Sequence, residues 1–191
     1  VENSWVKQQA TPYEVYIKTL YNLVKERVDI KEHLINDKRV FDLEKLYPFQ
    51  RDAVNMALNK LESDNNSQSG VFISDVVGLG KTIIATIIAK KFYFANGYRS
   101  KILIVYPPAL ENSWKKTIRD FEVPGVDFIT NGSLHQIKHP EDYDLIIVDE
   151  AHKFRSDESE RFNQLQKICK TPRKRKGNDG SNQKKVILVT A

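Results

Sequence analysis

The chain has 191 residues, 40% of them hydrophobic, and 30 Lys and Arg against 25 Asp and Glu give a formal net charge of +5. That length supports one substantial core, and no apolar run reaches the roughly 20 residues that cross a bilayer, so a membrane-spanning protein is excluded. No signal peptide is visible and Cys169 is the single cysteine, so a secreted disulfide scaffold is not expected; a cytoplasmic setting is expected, and the small positive charge permits a polyanionic partner without requiring one.

Residues 1–45 read as a helical N-terminal extension or linker. Thr11-Pro12-Tyr13-Glu14 combines a capping residue, Pro at the first helical position and Glu at the third. Tyr13, Tyr16, Ile17, Leu20, Val24 and Val28 then share one helical face, and packing is the expected use of that face and of Trp5. A second helix is predicted over 48–61 with Phe49, Ala53, Ala57 and Leu61 in register, followed by a polar break at 63–70. At its start stands Tyr47-Pro48-Phe49-Gln50, an aromatic beside a carboxamide. That pair suits stacking on a purine and reading its edge, since Gln offers a donor and an acceptor; the plain alternative is a surface Gln with a core Phe.

Phe72-Ile73-Ser74-Asp75-Val76-Val77-Gly78-Leu79-Gly80-Lys81-Thr82 follows the order strand, loop, helix, and the apolar residues 83–89 continue it as a buried helix. A triphosphate must be held without its water shell, and backbone N–H groups at a helix start do this where the turn carries no obstructing side chain. Gly78 and Gly80 supply such a turn. Lys81 would set its ammonium between the β- and γ-phosphates, and the Thr82 hydroxyl would ligate Mg²⁺. The strict G-x-x-x-x-G-K-[ST] pattern is not met, because Asp75 stands at its first Gly.

A buried strand is predicted over 101–106, closed by Pro107-Pro108, then a helix over 109–121 carrying Trp114, Lys115, Lys116 and Arg119, then a strand over 126–130 ended by Asn131-Gly132. Apolar strands alternating with helices predict an α/β fold with a doubly wound, mostly parallel sheet. The strand over 143–148 runs into Asp149-Glu150-Ala151-His152. Ligands of open parallel sheets sit beyond the carboxyl ends of the strands, so this tetrad should meet the phosphate loop there. Asp149 would help hold Mg²⁺ opposite Thr82, and Glu150 would accept a proton from the attacking water. A polar helix is predicted over 158–169. Residues 170–185, rich in Lys, Arg and Gly with no hydrophobic side chain, read as a mobile solvated loop; a grip on a phosphate backbone is the alternative. The apolar residues 186–189 form a last strand before Thr190-Ala191, and such an end, like Val1 at the start, reads as a cut from something longer.

Over residues 46–191 the sequence resembles the Swi/Snf-type branch of the superfamily 2 helicases and translocases. The motifs occur in the family's order: Gln50, Asp75 to Thr82 (similar to D-E-M-G-L-G-K-T), Pro107-Pro108 with Trp114 after it, Asp149 to His152, and the start of an S/T-A-T motif at Thr190-Ala191. Val76 and Val77 depart from the usual Glu and Met at positions that do not touch phosphate through their side chains. The resemblance implies a RecA-like P-loop lobe that binds ATP and Mg²⁺ through Gln50, Asp75, Gly78, Leu79, Gly80, Lys81, Thr82 and Asp149, with Glu150 activating water. It further implies that His152 and Thr190 couple nucleotide state to movement, and that Pro107, Pro108, Trp114 and Thr130 lie near a tracked strand of double-stranded DNA. A second RecA-like lobe would contribute an arginine finger worth on the order of 10³ to 10⁵ in rate, so this lobe alone should be a poor ATPase. An RNA-directed or strand-separating helicase, and a non-hydrolysing ATP-gated binding module, are the alternative functions.

Overall fold

Ile102–Tyr106 and Leu145–Val148 are runs in which every side chain is apolar, so neither face of either strand can be left in water. In the computed structural model, which describes residues 43–62, 70–74, 80–154, 159–174 and 182–190, both runs are buried along their whole length at the middle of a sheet. The expectations for residues 1–42, including the Thr11 helix start and Trp5, lie outside the described residues.

The described residues form five strands, β1 (Gly70–Ser74), β2 (Ile102–Tyr106), β3 (Val126–Thr130), β4 (Leu145–Val148) and β5 (Lys185–Thr190), and four helices, α1 (Pro48–Glu62), α2 (Lys81–Ala95), α3 (Glu111–Asp120) and α4 (Glu160–Lys170). All strand pairs are parallel, in the order β1-β5-β4-β2-β3. Alternate residues of each central strand face opposite layers. Ile102, Ile104, Leu145, Ile147 and Ile187 pack with α1, α2 and α3, while Leu103, Val105, Ile146 and Val148 pack with Phe154, Leu165 and Ile168. Each such aliphatic side chain contributes about 1.5–3 kcal/mol of burial free energy. The predicted doubly wound sheet is therefore observed, with its carboxyl ends aligned along one edge.

Helix α1 buries Gln50, Val54, Ala57, Leu58 and Leu61, a stripe at i, i+4, i+7, i+8 and i+11. Phe49, expected on that face, is 38% exposed, whereas Gln50, for which a surface position was the plain alternative, is buried, an exchange of places relative to that alternative. The exchange has a local cause, because Gln50 occupies the third helical position and its Oε1 accepts the Tyr47 N–H at 3.3 Å. This is the carboxamide half of a capping box, and it turns the side chain inward.

The chain enters β3 through Gly125, whose carbonyl accepts the Ile102 N–H at 2.8 Å. Its φ of 71° is left-handed, and a Cβ there would fall 2.6 Å from the Ser100 carbonyl oxygen, which is backbone and cannot swing aside. Gly125→Ala is expected to lower the free energy of unfolding by at least ~1–2 kcal/mol from the left-handed conformation alone. An unchanged urea midpoint would contradict this account of the turn.

Both ends of the basic stretch 170–185 are fixed, which corrects the expectation of a loop solvated throughout. Arg173 is buried with its guanidinium 3.9 Å from Asp144, and its backbone N–H donates to the Asn182 carbonyl at 2.8 Å. Lys174 pairs with Asp142 at 2.7 Å. Lys184 is buried and its ammonium donates to the Ile168 carbonyl at 2.7 Å, satisfying an acceptor that the last turn of α4 leaves open. Residues 175–181 lie outside the described residues.

Burial pushes the Lys184 ammonium down to about 8 and the neighbouring Cys169 thiol up to about 11. Above pH 8 the unfolded chain holds a Lys184 proton that the folded chain has lost, so stability should rise there. Once pH passes the ordinary thiol value near 9, the folded chain keeps a Cys169 proton that the unfolded chain has lost, and the two effects oppose each other. Urea unfolding is expected to show a gain of up to about 1.4 kcal/mol between pH 8 and 9 followed by a plateau. In Cys169→Ala the gain should continue toward the unfolded lysine value. A steady loss of stability from pH 8 upward would contradict this assignment.

Candidate nucleotide site

Because all five strands are parallel, their carboxyl ends place Ser74, Thr190, Asp149, Pro107 and Thr130 along one edge in that spatial order. Helix α2 starts at this edge. Gly80 precedes it with φ 80° and ψ 31°, and among the described residues no side chain caps the helix. The first amides of α2 are therefore suited to an anion. A Cβ on Gly80 would meet Gln50 Nε2 at 2.7 Å, so the carboxamide packs directly on the end of the loop. Tyr47 and Phe49 stack beside it with ring centroids 5.9 Å apart and 6° between planes, and Tyr47 is 70% exposed. Asp75, Gly78 and Leu79 lie outside the described residues.

Asp149 follows β4, continues its ladder by donating its N–H to the Val105 carbonyl at 2.8 Å, and is buried. Its Oδ1 accepts the Glu150 N–H and its Oδ2 accepts the Trp114 indole N–H, each at 2.8 Å. Burial pushes the Asp149 carboxyl above its ordinary range; those two hydrogen bonds and the positive charge of Lys81 act the other way.

Glu150 has φ 53°, an uncommon conformation for a residue with a side chain and one that recurs at functional sites. Its Oε2 lies 3.2 Å from His152 Nδ1, which is also 3.1 Å from Thr190 Oγ1. A carboxylate only accepts, so His152 Nδ1 carries the proton whenever it bonds Glu150. The two residues expected to couple nucleotide state to movement are thus in contact, 38 positions apart in sequence.

The residues expected near nucleic acid separate. Pro108 is exposed just after β2, Pro107 is buried, and Thr130 at the end of β3 donates its hydroxyl to Ser133 Oγ at 2.9 Å. Trp114 requires a correction: it is fully buried and offers no surface to a DNA strand. Sequence reasoning missed its bond to Asp149. The available signal was Trp114 and Ile118 at i, i+4 on a helix whose remaining positions are all polar, among them the Glu111-Lys115 and Lys116-Asp120 ion pairs.

The fit to a magnesium nucleotide can be judged from the donor set. No three His, Cys, Asp or Glu side chains converge on a metal position among the described residues. Thr82 and Asp149 carry hard oxygens that could serve a cation taking its other ligands from phosphate and water, which is how Mg²⁺ is commonly held. No helix of the described residues is long and apolar enough to cross a membrane.

Residues 43–138 match the family ResIII, described as "Type III restriction enzyme, res subunit". The chain is similar to the "Uncharacterized ATP-dependent helicase YqhH" of Bacillus subtilis (strain 168), 32% identical over 117 residues that cover 51% of this chain and 21% of that protein. It is also similar to the Caenorhabditis elegans homolog of SWI/SNF-related matrix-associated actin-dependent regulator of chromatin subfamily A-like protein 1, 27% identical over 143 residues, covering 62% and 19%. Among solved structures, the Sulfolobus solfataricus SWI2/SNF2 ATPase core in complex with dsDNA aligns with a TM-score of 0.58 at 16% identity, over 76% of this chain and 31% of that one. The chain spans about a fifth of the length of the curated relatives it matches.

Proposed function

The chain belongs to the ResIII family, that of the type III restriction enzyme res subunit, and on that premise we propose that residues 46–191 are the first RecA-like lobe of an ATP-dependent translocase moving on duplex DNA. The observation that carries this reading is the meeting of three side chains on one sheet edge. A buried aspartate follows β4, a glutamate follows that aspartate, and a histidine lies within hydrogen-bond reach of both the glutamate and the last strand.

In this reading the phosphates lie against the first amides of α2, with Gly78, Leu79 and Gly80 giving the backbone close approach and Lys81 binding between the β- and γ-positions. Thr82 and Asp149 would hold Mg²⁺, which neutralises charge on the phosphate oxygens. Glu150 accepts the proton of the attacking water. Tyr47 and Gln50 flank the position an adenine would take, and the Tyr47 N–H bonded to Gln50 Oε1 holds the carboxamide beside the loop end. Loss of the γ-phosphate would be felt at Glu150, passed to His152, and passed on to Thr190 at the end of β5. Pro108 and Thr130 lie farther along the same edge, where a strand of backbone could be gripped without reading bases. A second lobe would complete the site, and the 191-residue chain by itself is expected to bind ATP but hydrolyse it slowly.

The test is displacement of a third strand from triplex DNA by the protein extended through that lobe. ATP-dependent displacement without separation of the underlying duplex is expected. Separation of strands, or movement on RNA alone, would replace the duplex translocase with a helicase.

A further inference from the structure

A buried indole needs an acceptor for its N–H, and most find a carbonyl nearby. Trp114 is fully buried on the inner face of α3, and its N–H instead meets Asp149 Oδ2 at 2.8 Å, 35 residues downstream. The other oxygen of that carboxylate accepts the Glu150 N–H. One donor comes from the backbone after β4 and the other from a helix after β2, so the carboxylate is held from two separate elements. Each oxygen keeps a lone pair for a cation or its water. The Glu150 amide alone would leave the carboxylate able to turn about its own side-chain bonds, and the indole removes that freedom.

We propose that Trp114 is a positioning residue whose indole N–H fixes the Asp149 carboxylate in the orientation that receives the metal of the bound nucleotide. This rests on the nucleotide reading given above. Groups that orient a metal ligand through a hydrogen bond commonly contribute roughly ten- to a hundred-fold to metal affinity.

Two measurements test it. The chain has two tryptophans, so in Trp5→Phe the one indole N–H resonance is that of Trp114. That resonance is expected to move in Asp149→Asn and to broaden when Mn²⁺ is added with ATPγS. Second, electron paramagnetic resonance of free Mn²⁺ in the presence of ATPγS should show affinity roughly ten- to a hundred-fold weaker in Trp114→Phe, with metal-free nucleotide affinity kept. Should Trp114→Phe fail to fold, the indole response decides alone. A resonance indifferent to Asp149→Asn, or unaltered Mn²⁺ affinity in Trp114→Phe, overturns the assignment. A wild-type chain that binds no Mn²⁺ nucleotide overturns the nucleotide reading, whereas binding that ignores Trp114 overturns only this proposal. Trp114-dependent Mn²⁺ binding without hydrolysis by the extended protein supports the assignment and removes the ATPase reading.

Discussion

Glu150→Gln is expected to slow ATP hydrolysis by roughly 10²–10⁴-fold, the range that a positioned general base contributes. The substitution keeps the size of the side chain and an oxygen that can still accept from His152 Nδ1, 3.2 Å away in the parent. It leaves the left-handed backbone at φ 53° and the N–H donated to Asp149 in place. What it removes is the ability to take a proton. Nucleotide affinity should therefore be unchanged, and the variant should accumulate the ATP-bound state. Equal losses of binding and rate would mean that Glu150 holds the nucleotide instead of activating water. Full activity would mean that another group is the base.

Lys81→Ala is expected to act on binding first. An ammonium hydrogen-bonded to phosphate is worth about 1.5–3 kcal/mol, so ATP affinity should fall roughly ten- to a hundred-fold. The side chain is only partly buried at the first position of α2, where Ala is a good helix former, so the fold should survive. The variant also takes away a positive charge that favours the ionised form of the buried Asp149. Metal dependence should consequently worsen along with nucleotide affinity. Isothermal titration with ATPγS, with and without Mg²⁺, separates the two effects. Wild-type affinity in both titrations would contradict the assignment of this helix start to phosphate.

Much of the architecture was legible because the strands announce themselves. Runs such as Ile102–Tyr106 and Leu145–Val148 have no polar face, and their alternation with helices leaves a parallel, helix-flanked sheet as the simple solution. That expectation is borne out, and so is the helicase-type family resemblance drawn from the order of the motifs. Less legible were the positions where a polar side chain finds a buried partner far away in sequence. Periodicity places Trp114 on the inner face of α3 but says nothing of Asp149, whose approach depends on β2 and β4 being neighbours. Local composition made Arg173 and Lys184 look solvated, yet Asp144 and an open carbonyl of α4 take them inside. Phe49 and Gln50 traded places for a local reason, the need of the Tyr47 N–H for an acceptor. For Arg173, Lys184 and Gln50 the misleading rule was that charged and amide groups face water, and in each a specific partner outweighed it.

In the proposed motor, the contact between His152 and Thr190 would carry the step from hydrolysis to movement. In a motor it gives the nucleic acid a route to the site of chemistry.

The most direct measurement is steady-state ATP hydrolysis by the protein extended through the proposed second lobe, alone and with duplex DNA, single-stranded DNA or RNA, beside Glu150→Gln. The account predicts a low basal rate raised by duplex above the other nucleic acids, with the rise absent in the variant. Nucleotide binding without hydrolysis under any of these conditions would contradict it and leave an ATP-sensing module.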